Sequence, residues 1–166
     1  AAGTFNEKWF RDYIPALRIY LNGMGLLGKA YYAIMEEPQN QADYDAIAWY
    51  AQELKRAAPN LKLMVAEQPR PEIFSHPSYP GAKVDLWDAH FGTSAFDPDV
   101  SLDRLKNHAE ETWIYFLHNT YLPRFNPITI DHPGVEAKFL GWYLWKYRIR
   151  GFEYWRFNEW GANPWT

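Results

Sequence analysis

Ala30-Tyr31-Tyr32-Ala33-Ile34-Met35-Glu36-Glu37-Pro38 is a short apolar run that ends on two adjacent carboxylates and a proline. A run of this length, bounded by turn residues, reads as a buried strand. The same pattern recurs along the chain with helical segments between, and that recurrence decides the fold. Residues 41–58 read as a helix, with Tyr44, Ile47, Ala48, Ala51 and Leu54 in helical register and Pro59-Asn60 as its stop. Leu61-Lys62-Leu63-Met64-Val65-Ala66 is a second strand, ending at Glu67-Gln68-Pro69. A proline-bearing polar loop over 70–81 leads to a third strand, Lys83-Val84-Asp85-Leu86-Trp87, which ends at Asp88-Ala89-His90. Residues 99–110 read as a helix capped by Asp99 or Ser101, and 112–117 as a fourth strand ending at His118-Asn119. After a second long loop, 134–149 is an aromatic-rich helix, and 151–157 is the last strand, ending at Asn158-Glu159.

Upstream of the first strand, Thr4-Phe5-Asn6-Glu7 reads as a capping box. The helix behind it carries Trp9, Phe10, Tyr13, Leu17 and Tyr20 on one face, with Pro15 as a kink. Gly23, Gly25 and Gly28 break it. These three have the spacing of a dinucleotide fingerprint, but they precede a strand instead of following one, and no glycine-rich phosphate loop follows any strand. Alternating strands and helices imply an α/β fold with a parallel sheet and helical crossovers. A doubly wound sheet and a piece of an eight-stranded barrel both fit.

Composition narrows the function. The 166 residues suit one domain, and a net charge of −3 with scattered signs gives no nucleic-acid footprint. No apolar run reaches the length of a membrane span. With no cysteine, disulfides, thiolate metal sites and cysteine nucleophiles are absent. His90 and His118 lack metal-ligand spacing, and nothing calls for a cofactor. Aromatics make up 19% of the chain, including 9 Trp and 12 Tyr. Without a basic patch, their flat faces suit sugars better than bases.

Every strand ends in polar or acidic residues: Glu36-Glu37, Glu67-Gln68, Asp88 with His90, His118-Asn119 and Asn158-Glu159. In a parallel barrel these ends share the face where active sites form. Glycosidic cleavage needs two carboxylates, one to protonate the leaving oxygen and one to assist the attack. Adjacent residues on a regular strand point to opposite sides, so Glu36 and Glu37 need a twist or bulge to act as a facing pair. Adjacent carboxylates do suit substrate-assisted cleavage, in which the sugar's own 2-acetamido group attacks the anomeric carbon. One carboxylate then holds the amide while its neighbour is the acid.

The run Tyr31-Tyr32-Ala33-Ile34-Met35-Glu36-Glu37-Pro38 resembles the strand ending in Asp-Glu-Pro of glycoside hydrolase family 123 and its relatives. Further similar stretches follow in order. They are Ala58-Pro59-Asn60-Leu61-Lys62-Leu63-Met64, Val84-Asp85-Leu86-Trp87, Glu111-Thr112-Trp113-Ile114-Tyr115, Gly141-Trp142-Tyr143-Leu144-Trp145-Lys146-Tyr147, and the segment from Gly151 to Trp160 with Asn163-Pro164-Trp165. The resemblance implies a (β/α)8 barrel and retaining hydrolysis of β-linked N-acetylgalactosamine by substrate assistance. It implies Glu37 as the general acid, with Glu36 in place of the family's Asp, one methylene longer, orienting the acetamido group. Lys138 stands where the resemblance implies Arg.

The chain thus reads as the C-terminal part, about five β/α units, of a TIM-type barrel, a single partial-barrel domain over 1–166. That predicts a longer polypeptide, or a sheet closed by another copy of the chain. The expected ligand is carbohydrate, and the expected location is extracellular or periplasmic. The catalytic candidates are Glu36 and Glu37. The substrate-binding candidates are Glu67, Asp88, His90, Tyr115, His118, Asn119, Asn158 and Glu159, with Trp87 and Trp155 as sugar platforms. Trp142 and Trp145 are expected in the core. The alternative is a non-catalytic carbohydrate-binding or structural assembly subunit.

Overall fold

A computed structural model of the chain describes residues 8–91, 96–117, 120, 124–129 and 131–155, the side chain of Trp155 excepted. Five strands form one all-parallel sheet: β1 (Tyr31–Glu36), β2 (Lys62–Ala66), β3 (Leu86–His90), β4 (Glu111–Leu117) and β5 (Gly151–Trp155). Their order in space is their order in sequence. A doubly wound sheet reverses its strand order at a switch point, whereas a barrel adds each strand beside the last. The monotonic order is therefore that of a partial β/α barrel. Helices α1 (Ile14–Gly23), α2 (Gln41–Ala57), α3 (Pro71–Phe74), α4 (Pro98–His108) and α5 (Glu136–Tyr147) complete the described elements. Among the described residues no helix is long and apolar enough to cross a membrane.

Strand alternation sorts the side chains onto two faces. On the helix side, Leu63, Val65 and Trp87 pack with Ile47, Ala51 and Leu54 of α2, together with Ile14, Ile73 and Val84. A second cluster joins Ala89, Ile114 and Phe116 to Phe91 and Ile149, with Tyr143, Leu144 and Phe152 against it. Trp87, in the first cluster, is fully buried, and its indole N–H donates to Glu110 at 2.7 Å. Arg104 holds the same carboxylate through two N–H groups, its Nε at 2.8 Å. Its guanidinium also lies 3.8 Å from the centre of the Phe74 ring. Trp87 is thus a core residue and not a sugar platform. Its neighbour Asp88, on the opposite parity, takes the other face.

Several boundaries differ from expectation. The third strand runs over Leu86–His90, not 83–87. Asp88, Ala89 and His90 belong to it because their backbones pair with Trp113, Ile114 and Tyr115. Asp97, and neither Asp99 nor Ser101, caps α4, accepting from Asp99 N at 2.9 Å and Val100 N at 3.2 Å with Pro98 opening the helix. The loop over 70–81 contains the single turn α3, which inserts Ile73 into the core. Ahead of Pro15 the chain takes a π-helical turn, Trp9–Tyr13, before α1. A widened turn accommodates a residue that offers no N–H.

Trp142 and Trp145 are 77% and 73% exposed and lie outside the core. The helical stripe that meets the sheet is Leu140, Tyr143, Leu144 and Tyr147, which leaves both tryptophans on other faces of α5. Tyr20 is likewise exposed, because Phe10, Ile14, Leu17 and Leu21 form the inward stripe of the first helical segment. Thr4 and its capping box lie outside the described residues.

Candidate active site

At the C-terminal end of β1 the chain departs from regular pairing. Ala33 pairs with Met64 but Glu36 pairs with Ala66, so β1 carries one residue more than β2 over this stretch. That is a β-bulge, which bends a strand and re-aims its side chains. Glu37 follows in the left-handed region, with φ of 45°, and its N–H donates to Ala66 O at 3.1 Å. A non-glycine residue there costs on the order of 1 kcal/mol, and such strain concentrates at functional sites. The loop beyond is pinned by Gln39, whose side chain donates to Glu37 O at 2.5 Å and whose N–H donates to Asp43 Oδ2 at 2.9 Å. Asn40 caps α2 by accepting from Asp43 N.

The bulge and the left-handed turn bring both carboxylates onto one cleft. Glu36 and Glu37 line a cavity of about 570 Å³ together with Asp88, Tyr115 and Glu153 on an apolar wall that includes Ala33, Met35, Met64 and Leu117. A second cavity of about 320 Å³ adjoins it, lined by Tyr44, Glu67, Arg70 and His90. Glu37 and Tyr115 border both. Six sequence-level candidates therefore converge: Glu36, Glu37, Glu67, Asp88, His90 and Tyr115.

Tyr115 donates its hydroxyl to Glu37 Oε1 at 2.5 Å, and its ring stacks on His90 with centroids 4.9 Å apart. Burial, and then the Glu37 carboxylate, push the Tyr115 hydroxyl far above the ordinary phenol range, so it remains a donor. Burial lowers the pKa of His90 while Glu37 opposes the shift, which favours a neutral imidazole at neutral pH. Glu67 is raised by burial, although its carboxylate accepts from Gln68 N at 2.8 Å and approaches Arg70 Nε at 3.3 Å. Asp88 is pushed up to about 8, first by burial and then by the charge and hydrogen bond of Glu153.

The geometry is that of a cleft lined with carboxylates at the C-terminal ends of parallel strands. The model of the glycoside hydrolase 123 catalytic domain matches residues 2–166. The chain belongs to that family. No curated protein matches it. As a glycoside hydrolase 123 domain it carries Glu36-Glu37 where the resemblance implies the family's acidic pair. Lys138 is exposed on α5 and does not line either cavity.

His118, Asn119, Asn158 and Glu159 lie outside the described residues. Trp155 pairs with Leu117 through its backbone, and its side chain lies outside the description. Glu153 is a cavity residue that the polar strand-end pattern does not reveal, because it lies inside β5. The signal was present: β5 reads Gly-Phe-Glu-Tyr-Trp, and alternation puts a lone acid on the face opposite Phe152 and Tyr154.

Proposed function

We propose that this domain hydrolyses β-linked 2-acetamido sugars with retention, by substrate assistance. Glu37 is the acid and gives its proton to the glycosidic oxygen. The acetamido carbonyl oxygen attacks C1, the C1–O bond breaks, and the aglycone leaves as an alcohol. Glu36 accepts a hydrogen bond from the amide N–H, steers the carbonyl toward C1, and stabilises the positive oxazolinium that forms. Water then attacks C1, passes a proton to Glu37, and restores the acetamide with the original configuration.

The observation that carries this reading is the bulge at the end of β1 followed by the left-handed Glu37. Together they give two sequence neighbours access to one cavity, which regular strand geometry forbids. Glu36 is exposed to that cavity, which leaves its longer side chain room to fold back onto the amide. Tyr115 fixes the Glu37 carboxyl, so the acid is oriented before the sugar arrives. A purely sugar-binding role would rest on tryptophan platforms, and among the described residues no tryptophan lines either cavity. A polysaccharide substrate of this kind would be met in the extracellular or periplasmic space.

The test is a series of aryl 2-acetamido-2-deoxy-β-galactosides whose acetamido methyl carries none, one, two or three fluorines. Each fluorine weakens the carbonyl nucleophile. A steep fall of kcat/KM along the series is expected. A flat series would mean that the acetamido group takes no part.

A further inference from the structure

The floor of the larger cavity holds a second acidic pair that the reaction above does not use. Asp88 is only 2% exposed and lines the cavity beside Glu153. A hydrogen bond between two carboxyls forms only with a proton on one of them, and burial together with the neighbouring Glu153 carboxylate holds the proton on Asp88. The other oxygen of Asp88, Oδ1, is buried and has no hydrogen-bond partner among the described residues. A buried acceptor left unpaired is costly, so such a group on a residue that lines a cavity points to a ligand donor.

The layers of the inner face say which part of a ligand this is. His90 and Glu153 both pair with Tyr115, the Glu37 partner, while Asp88 pairs with Trp113, so Glu153 meets Asp88 from the layer above. Asp88 therefore sits one inner-face step, about 7 Å, below the acid's layer, which is the span of a pyranose ring with its hydroxyls. Level with it, Trp113 lies so tightly over Gly151 that a Cβ there would meet the indole at 2.3 Å. Tyr31 meets the Trp113 ring edge-on at 5.7 Å.

We propose that Asp88 and Glu153 hold one proton between them and together grip a hydroxyl of the sugar ring, making the floor of the cleft selective for neutral over anionic sugars. A hydroxyl both donates and accepts, and a carboxyl–carboxylate pair can do both in return. A uronate or sulfated ring would bring a further negative charge among Glu36, Glu37, Asp88 and Glu153. The inference rests on reading the cleft as a sugar site, but not on the acetamido mechanism.

The shared proton makes the grip pH-dependent. The cavity wall around Asp88 is made by Glu36 at the end of β1 and Glu37 just beyond it, by Tyr115 from β4 and Glu153 from β5, and by the apolar Met64 and Ala66 from β2, with His90 on the strand of Asp88 itself lining the adjoining cavity. Burial and the Glu153 carboxylate oppose loss of the proton. Isothermal titration with galactose, N-acetylgalactosamine and galacturonate from pH 5 to 9 tests the proposal on wild type, Asp88→Asn, Glu153→Gln and Asp88→Leu. With one linked proton near pH 8, wild-type affinity for both neutral sugars falls about tenfold between pH 7 and pH 9. Asp88→Asn, an amide in place of the neutral carboxyl, abolishes that fall, and Glu153→Gln, which leaves burial as the main cause of the Asp88 shift, moves it to lower pH. Asp88→Leu weakens binding at every pH, and galacturonate binds wild type at least tenfold more weakly than galactose. A wild-type pH profile that survives unchanged in both amide variants, or galacturonate binding as well as galactose, would overturn the pair. Galactose behaving as described, with the acetamido group adding no affinity, would instead sink the acetamido mechanism and leave the pair standing.

Discussion

Two buried acids next to the same strand are treated in opposite ways. Glu110, on the helix side, is 2% exposed, and its carboxylate is held by two N–H groups of Arg104 and by the indole of Trp87. Asp88, equally buried on the cleft side, has another acid as its neighbour and one oxygen without a partner among the described residues. Burial is the same, and pairing differs. The first arrangement neutralises a charge and fixes α4 against the sheet. The second keeps a polar group poised at a cavity wall, at a cost in stability. A buried acid is thus read by what surrounds it, and here a change of one residue in strand parity, Trp87 to Asp88, moves from core to cleft.

The comparison can be broken by substitution. Glu110→Ala leaves Arg104 buried without its partner and should lower unfolding free energy by about 3–5 kcal/mol in chemical denaturation. If the loss is small, the paired acid is not what anchors the helix side. Asp88→Asn should act in the opposite direction near neutral pH. Its folded-state pKa is raised from 3.8 to about 8, so the folded state binds the extra proton. Wild-type stability should therefore fall as pH rises from about 4 to about 8, by up to about 1.4 kcal/mol per unit. The variant should show a flatter curve across the same window, and an unchanged slope would assign the pH dependence elsewhere.

Smaller effects sharpen the floor and the rim. Gly151→Ala would drive a methyl into the Trp113 ring, and overpacking of this kind costs about 1–3 kcal/mol. A variant as stable as wild type would show that the indole is free to move. Tyr115→Phe removes the donor to Glu37 and should cost about 1 kcal/mol of stability. It should also lower kcat more than it raises KM, because the acid loses its orientation and the cleft keeps its shape.

The fold was legible because each strand and helix carries its own period, as in the α2 stripe of Ile47, Ala51 and Leu54. The site was legible in part. Glu36 and Glu37 stand out as a pair, yet the bulge that lets them share a cleft has no glycine or other mark in Ala33-Ile34-Met35. Trp87 and Asp88 could not both face the cleft, and applying strand alternation to β3 would have sent Trp87 to the core. Glu153 needed the same rule on β5. Trp142 and Trp145 were assigned to the core by their chemistry, whereas the spacing of Leu140, Tyr143, Leu144 and Tyr147 sets the inward face of α5.

The central claim is that Glu37 is the acid of a glycosidase cleft. It is tested most directly by comparing Glu37→Ala with wild type on two 2-acetamido-β-galactosides, one with a methylumbelliferyl and one with a dinitrophenyl leaving group. The poorer leaving group needs a proton, so the variant should lose about 10²–10⁴-fold in rate on it. The dinitrophenyl substrate departs unaided and should be largely spared in the bond-breaking step. Equal losses on both, or none on either, would contradict the assignment.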